Sequence, residues 1–194
     1  MTLEDNLAAF GLPTDLRRRF ASLFTPKGYD AGEVIVHQGT PIQHFYFVSR
    51  GLIRFFYTRD DGREFNKSFL GEGSMGGALS AYLGDGIAPF GIQALEPTRL
   101  WSAPYAHLAA LYDEDRRFER MGRQWVERLA VKKERRERAL LEQDATTRYL
   151  HFLAEYPQLA QRIPLYHIAR YIGVTEVSLS RIRARLARSP SSAC

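Results

Sequence analysis

GEVIVHQGTPIQHFYFVSRGLIRFFYTRDDGREF, residues 32–65, reads as a series of short strands punctuated by glycine. GEVIVHQGT (32–40), HFYFVSR (44–50) and GLIRFFYTR (51–59) are rich in β-branched and aromatic residues, the types that suit a pleated, half-buried surface. DDG (60–62) marks a tight turn into REFNKSFL (63–70). GIQALEPTRLWSAP (91–104) supplies two more short strands around Pro97. Strands this short, recurring at about ten-residue spacing, predict an antiparallel roll or barrel.

On the N-terminal side of this region, residues 3–24 carry a helical pattern. Leu3, Leu7, Phe10, Leu16, Phe20 and Leu23 fall at helical spacing, and Gly11 and Pro13 interrupt the run. The start, MTLEDNLAAF, bears acids rather than the basic opening of a signal peptide, and no apolar run approaches the roughly 18 residues of a membrane span. A cytoplasmic location with no membrane partner is expected. The single cysteine, Cys194, excludes an internal disulfide framework, a zinc ribbon and a cysteine-ligated iron–sulfur cluster.

From Tyr105 onward strand signals cease. DEDRRFERMGRQWVERLAVKKERRERALLEQ (113–143) reads as one long helix, with Asp113, Glu114 and Asp115 at its electropositive start. Phe118, Met121, Trp125 and Leu129 form an apolar stripe. Such a stripe suits a dimer seam between two copies of the helix, or packing on the chain's own roll. KKERRER (132–138) reads as a solvated face, and DATTRYLHFLAEYPQL (144–159) as a further helix. RSPSSAC (188–194) reads as disordered. The domains expected are a roll over 1–112, a connecting helix over 113–143, and a C-terminal unit over 144–194.

Net charge is +5, and all of that excess lies in the last 34 residues, which hold six arginines and only Glu176 as an acid. Within them, IPLYHIARYIGVTEVSLSRIRARLAR (163–188) has internal order. Leu165, Ile168, Ala169 and Ile172 make one face of a short helix. Gly173 suits the positive φ of a tight turn, and Thr175 is an N-cap for a second helix. Val174 and Leu179 occupy the two positions of a hydrophobic staple. Leu179, Ile182 and Leu186 then face inward, which gives a helix-turn-helix.

Counting 100° per residue puts Val177, Arg181, Ala184 and Arg188 on the outward face, flanked by Ser180 and Arg185, with Glu176 and Ser178 near the helix start. This face suits a DNA major groove. Arg181 can donate to guanine O6 and N7, Glu176 can accept from cytosine N4, and Val177 can meet a thymine methyl. Arg183, Arg185 and Arg188 suit phosphates, which supply affinity without sequence information. Any one arginine alone reads as solvated surface. Cap, staple, glycine and confined charge together favour DNA.

The chain resembles the Crp/Fnr family of bacterial transcription regulators over about residues 10–187, most specifically in residues 32–65 and in IARYIGVTEVSLSRIRARL (168–186). The resemblance implies an α+β fold: an N-terminal cyclic-nucleotide-binding-like antiparallel β-roll of the jelly-roll type, a long dimerisation helix and a C-terminal winged helix-turn-helix. It places Gly51 at a recurrent glycine and Arg181 at a base-reading position. It implies double-stranded DNA, a second copy of the chain and RNA polymerase as partners, with a small-molecule effector of unknown identity. Two features depart from the pattern. In MGGALSAYLGDGIAPFGIQAL (75–95), Gly76 fits the phosphate cassette, but Gly77 stands at its Glu and Ala88-Pro89 at its Arg-Ser. Residues 68–98 contain no lysine or arginine, so binding of cyclic AMP in the family manner is not expected. The wing has no counterpart after Leu186. A neutral or apolar ligand near Phe69, Met75, Gly76, Gly77 and Phe90 is one expectation for the roll; the other is that its aromatics are simply core.

No enzyme signature is present. There is no His-x-His for a cupin-type metal site, no P-loop and no Ser-His-Asp pattern. His37, His44 and His107 are the candidate haem ligands, and ordinary surface or strand positions fit them better. Neither metal nor cofactor is expected. The remaining rival is a protein-interaction module whose basic helices bind an acidic partner, or DNA without sequence preference.

Overall fold

The computed structural model describes residues 2–188. Two short helices, α1 (Leu3–Ala8) and α2 (Thr14–Ala21), precede the roll. The roll contains β1 (Thr25–Tyr29), β2 (Val34–Val36), β3 (His44–Arg50), β4 (Ile53–Thr58), β5 (Glu64–Leu70), β6 (Met75–Gly76), β7 (Gly91–Ala94) and β8 (Thr98–Pro104). A single turn of helix, α3 (Leu79–Tyr82), lies between β6 and β7. The strands form two four-stranded antiparallel sheets, ordered β1-β8-β3-β6 and β2-β7-β4-β5. Their facing sides bury Tyr46, Val48, Ile53, Phe55, Phe90, Ile92 and Leu100. The expected roll is present; β1 and β6 lack a sequence signal because Pro26, Gly28 and the Gly76-Gly77 pair are poor strand formers that only their partners hold extended.

Gly51 sits between β3 and β4 at φ +99°, where a Cβ would lie 2.7 Å from the Thr98 Cα and 2.9 Å from the Pro97 carbonyl oxygen. Only glycine permits both the backbone angle and this approach. The turn at 60–62 closes through Gly62, whose N–H donates to the Arg59 carbonyl at 2.8 Å.

The long helix expected over 113–143 is present but starts three residues later, at Arg116, because a separate helix precedes it. α4 (Tyr105–Glu114) ends at Asp115, which is extended (φ −157°, ψ 127°). The Asp115 carboxylate accepts from the Arg117 N–H at 2.8 Å and so caps α5 (Arg116–Glu142). Asp113 and Glu114 therefore close α4 rather than open the long helix, because Asp115 withdraws from helical geometry to satisfy α5's free donors.

The apolar stripe of α5 is also used differently from a dimer seam. Phe118 and Met121 are buried with Phe20, Phe24, Phe45 and Leu111 against the chain's own roll and N-terminal helices. Trp125 meets the Phe45 ring edge-on at 5.0 Å, and Leu129 is half-buried. The helical period pointed to an apolar face; it could not say that α1, α2 and the roll would occupy it.

α6 (Ala145–Glu155), α7 (Leu165–Ile172) and α8 (Glu176–Arg188) complete the described chain. Leu52 and Phe69 of the roll share a core with Tyr149, Phe152, Tyr156, Ile168, Tyr171 and Leu179 of these helices. Phe69 thus belongs to the junction between roll and C-terminal helices and does not line a ligand pocket in the roll. Phe90 is in the roll interior, stacked on Phe55 at 5.2 Å. Arg188 ends α8, and the segment expected to be disordered otherwise lies outside the described residues.

Candidate nucleic-acid interface

α7 ends at Gly173 in the left-handed conformation (φ 76°, ψ 40°), and its N–H donates to the Ala169 carbonyl. The Val174 N–H donates to the same carbonyl at 3.0 Å, closing the turn. Thr175 Oγ1 accepts from the Ser178 N–H at 3.2 Å, the bond of an N-cap. Val174 packs on the core containing Leu179 and Ile182, the contact a staple requires. Turn, cap and staple fix the angle at which α8 leaves α7.

Leu179 and Ile182 are fully buried, and Leu186 is half-buried. The opposite side carries Val177, 60 % exposed, with Glu176, Ser180, Arg181, Arg183, Ala184, Arg185 and Arg188 all exposed; Ser178 is half-buried. Among the described residues, Arg181 and Arg183 make no ion pair, so their guanidinium donors remain free for a ligand. Arg162 and Arg170 are not part of this surface. Arg162 pairs with Glu72 at 2.9 Å and with Glu96, and Arg170 pairs with Glu64 at 2.8 Å. Roll carboxylates thus neutralise two of the six C-terminal arginines, and Arg181 and Arg183 on α8 are left without an ion pair among the described residues.

α7 is buried on two sides. Leu165, expected inward, is 38 % exposed, whereas His167 and Tyr171 are buried. α7 packs on β5 as well as on α8. Here a polar cluster escaped the sequence reading. The Arg54 guanidinium, 3 % exposed on β4, pairs with Glu64 at 2.8 Å and donates to Gln93 Oε1 at 2.7 Å and Asn66 Oδ1 at 3.1 Å. Asn66 Nδ2 donates to the His167 carbonyl at 2.8 Å. His167 Nδ1 faces donors from Arg54 at 3.4 Å and Asn66 at 3.2 Å. With two donors aimed at it, Nδ1 is the acceptor and the ring proton sits on Nε2. Burial, and then the Arg54 and Arg170 charges, pull the His167 pKa down to about 3, so the imidazole stays neutral. No short-range pattern announces such a cluster, since its members lie far apart in sequence.

The cassette-like segment is shaped against the ligand its resemblance suggests. A Cβ at Gly77 would lie 2.1 Å from the Tyr105 hydroxyl, in the place the family's glutamate would need. Ala88 is buried and Pro89 exposed, and neither can hold a phosphate. Met75, Gly76 and Gly77 line a cleft facing α5. His37, His44 and His107 are each exposed, and the described residues contain no cluster of potential metal ligands.

Residues 26–115 match the family model of the cyclic nucleotide-binding domain. The FixK2 protein of Bradyrhizobium japonicum superimposes with a TM-score of 0.73 at 22 % identity, over 84 % of this chain and 84 % of that one. The c-di-GMP responsive global regulator CLP of Xanthomonas campestris does so with a TM-score of 0.71 at 19 % identity, over 90 % and 92 %. The fold is that of the Crp/Fnr transcription regulators. The Thermus thermophilus catabolite activator protein shares it at a TM-score of 0.59 and 23 % identity, over 91 % of this chain and 84 % of that one. No curated protein sequence matches this chain. Of these solved structures, CLP is a global regulator and the Thermus thermophilus protein a catabolite activator; among the described residues of the present chain no helix is long and apolar enough to cross a membrane.

Proposed function

We propose that this protein is a cytoplasmic transcription regulator that reads double-stranded DNA through α8, binding an inverted repeat as a homodimer. The observation that carries this reading is the outward face of α8, where Arg181 and Arg183 stand free beside an exposed Val177, on a helix held by a cap, a staple and a left-handed glycine. Arg181 and Glu176, with Val177, Ser178 and Ser180, face the bases. Arg183, Arg185 and Arg188 hold phosphates, and Thr175 starts the helix against the backbone.

The dimer seam in this reading lies on the solvent side of α5, away from Phe118 and Met121. Val126, Ala130, Leu140 and Leu141 are exposed and fall within about 100° of one another around the helix. A second copy would cover them. Control by cyclic AMP through the 75–95 segment is not part of the reading, because that segment offers the phosphate no cation. RNA polymerase is the further partner such a regulator would contact.

Selection of the purified protein on random duplex DNA at physiological salt tests the reading. Enrichment of an inverted repeat with half-sites about one helical turn apart supports it. Binding that enriches no sequence and fades smoothly with salt favours an interaction module that only holds phosphates.

A further inference from the structure

The last carbonyls of α7 have no partner within their own helix, and arginines from two other elements take them up. Arg136 of α5 donates from Nη2 to the Tyr171 carbonyl at 3.1 Å and to the Asn66 carbonyl at 2.8 Å, and from Nη1 to the Lys67 carbonyl. One planar guanidinium thus joins α5, β5 and the end of α7. Arg148 of α6 donates from Nε to the Ile172 carbonyl at 2.8 Å and from Nη1 to the Gln143 carbonyl at 2.6 Å. Gln143 and Asp144, both extended, are all that separates α5 from α6. Arg148 therefore spans the joint between these helices while it holds the final residue of α7.

The Tyr171 side chain is held as firmly as its carbonyl. The Arg136 guanidinium lies over the Tyr171 ring, 4.1 Å from its centre. The Tyr171 hydroxyl donates to Glu155 Oε2 at 3.0 Å, and Glu155 pairs with Lys132, one turn back on α5, at 2.7 Å. Among the described residues neither Arg136 nor Arg148 pairs with a carboxylate; both are committed to the backbone. Ordering two long side chains in this way costs rotamer freedom, and their charges suit the negative end of the α7 dipole. From Ile172 the chain passes into the left-handed Gly173, and then through Val174 and the Thr175 cap into α8. Turn, cap and staple leave α8 little freedom of its own, so whatever fixes the end of α7 also fixes α8.

We propose that Arg136 and Arg148 are positioning residues for DNA reading: they clamp the end of α7 to β5, to α5 and to the α5–α6 joint, and thereby set the half-site spacing that the two α8 helices of a dimer can occupy. The inference rests on the reading of α8 as the DNA-reading helix of a dimer. Both arginines act through α7 rather than on DNA. Lysine at either position would keep the positive charge at the helix end, but its single nitrogen lacks the planar fork that bonds separate elements at once.

The test compares the full chain with its R136K and R148K variants on four kinds of duplex. These carry one half-site, the selected inverted repeat, or that repeat with its half-sites one base pair closer or one further apart. In the parent the change of spacing should cost about tenfold or more, because a rigid dimer must seat both helices in the major groove at once. R136K and R148K should each lose about tenfold on the selected repeat, bind the single half-site as the parent does, and pay about threefold or less for altered spacing. L111A serves as the control for lost stability. It opens a cavity in the core that Leu111 shares with Phe20 and Phe118, away from α7, and should keep the parent's spacing penalty. A spacing penalty unchanged in both lysine variants, or equal losses on repeat and half-site, would overturn the proposal. A second measurement contains no DNA. Residual dipolar couplings of the backbone amides report the orientation of α8 relative to α5. In the parent both helices should fit one alignment, and in R136K and R148K the couplings of α7 and α8 should shrink relative to those of α5. A parent with no spacing preference would refute the reading of α8 and leave the couplings to decide the clamp. Couplings that are the same in parent and both variants would rule the clamp out.

Discussion

At the scale of single residues, α8 separates two kinds of arginine contact. Arg181 lies on the exposed line beside Val177, whereas Arg188 sits at the helix end, and in the proposed reading the first meets bases and the second phosphate. A bidentate contact to guanine discriminates by about 1–3 kcal/mol, while a phosphate contact adds affinity for every sequence alike. Arg181→Ala should therefore cost ten- to a hundredfold on the selected operator and little on unrelated DNA. Arg188→Ala should weaken both equally and reduce the salt slope by about one ion. Competition binding on the two DNAs checks this, and equal losses for both variants would count against base reading. His167 gives a prediction of another kind. Its folded pKa lies below its unfolded value, so the unfolded chain takes up the proton first and stability drains away as pH falls from about 6.5 toward 3. Arg54 and Arg170 face the ring as cations, and Glu64, their shared partner, is the one acid beside them. Going from pH 7.5 to 5.0 should cost about 2 kcal/mol in urea unfolding. His167→Gln should remove most of that dependence. The pair Glu72–Arg162, which holds the Glu72 carboxyl down at about 2, adds its own loss only below about pH 4.5.

At the scale of elements, the joint between β3 and β4 and the free face of α5 carry the predictions. Gly51→Ala must place a methyl group against the Thr98 backbone while holding a positive φ. A destabilisation of about 2–4 kcal/mol is expected, read as a lower melting temperature without loss of the helix-turn-helix signal in DNA binding by the surviving folded fraction. On α5, Val126→Glu combined with Leu140→Glu puts charges on the side that faces solvent in one chain. Both positions are exposed, so the fold should be kept. Sedimentation should then show monomers where the parent gives dimers, and affinity for the inverted repeat should fall far more than affinity for a half-site. A dimer that survives both substitutions would move the seam elsewhere.

For the molecule as a whole, the roll and the C-terminal helices are joined by an aromatic core with a polar cluster on one flank. Phe69 meets the rings of Phe152, Tyr156 and Tyr171 at 5.6–6.1 Å. Arg54, Asn66 and Glu64 of the roll and Arg136 of α5 then fasten the rim from one side, and Arg162 fastens it from the other through Glu72. An event in the roll has a direct route to α8 through this junction, since α7 touches β5 and packs on α8 as well. His167 lies in the junction, so the pH dependence above should be accompanied by faster amide exchange in α7 at pH 5.0 than in β3. Uniform loosening of both elements would place the acid-sensitive step elsewhere.

The strands of 32–70, the glycine joint and the helix-turn-helix were legible in the sequence because each rests on short-range physics: alternation, a positive φ, a cap three residues from its donor. The exposed face of α8 followed from helical period alone. The same logic reached its limit at α5, where periodicity revealed an apolar stripe but could not tell a neighbouring chain from the chain's own roll. It also missed the break at Asp115, where a cap outweighed continuous helix propensity. Which arginines are paired and where His167 is buried are decided by contacts between residues distant in sequence. Local pattern fixes what each segment can become; only packing fixes which of its faces is left over.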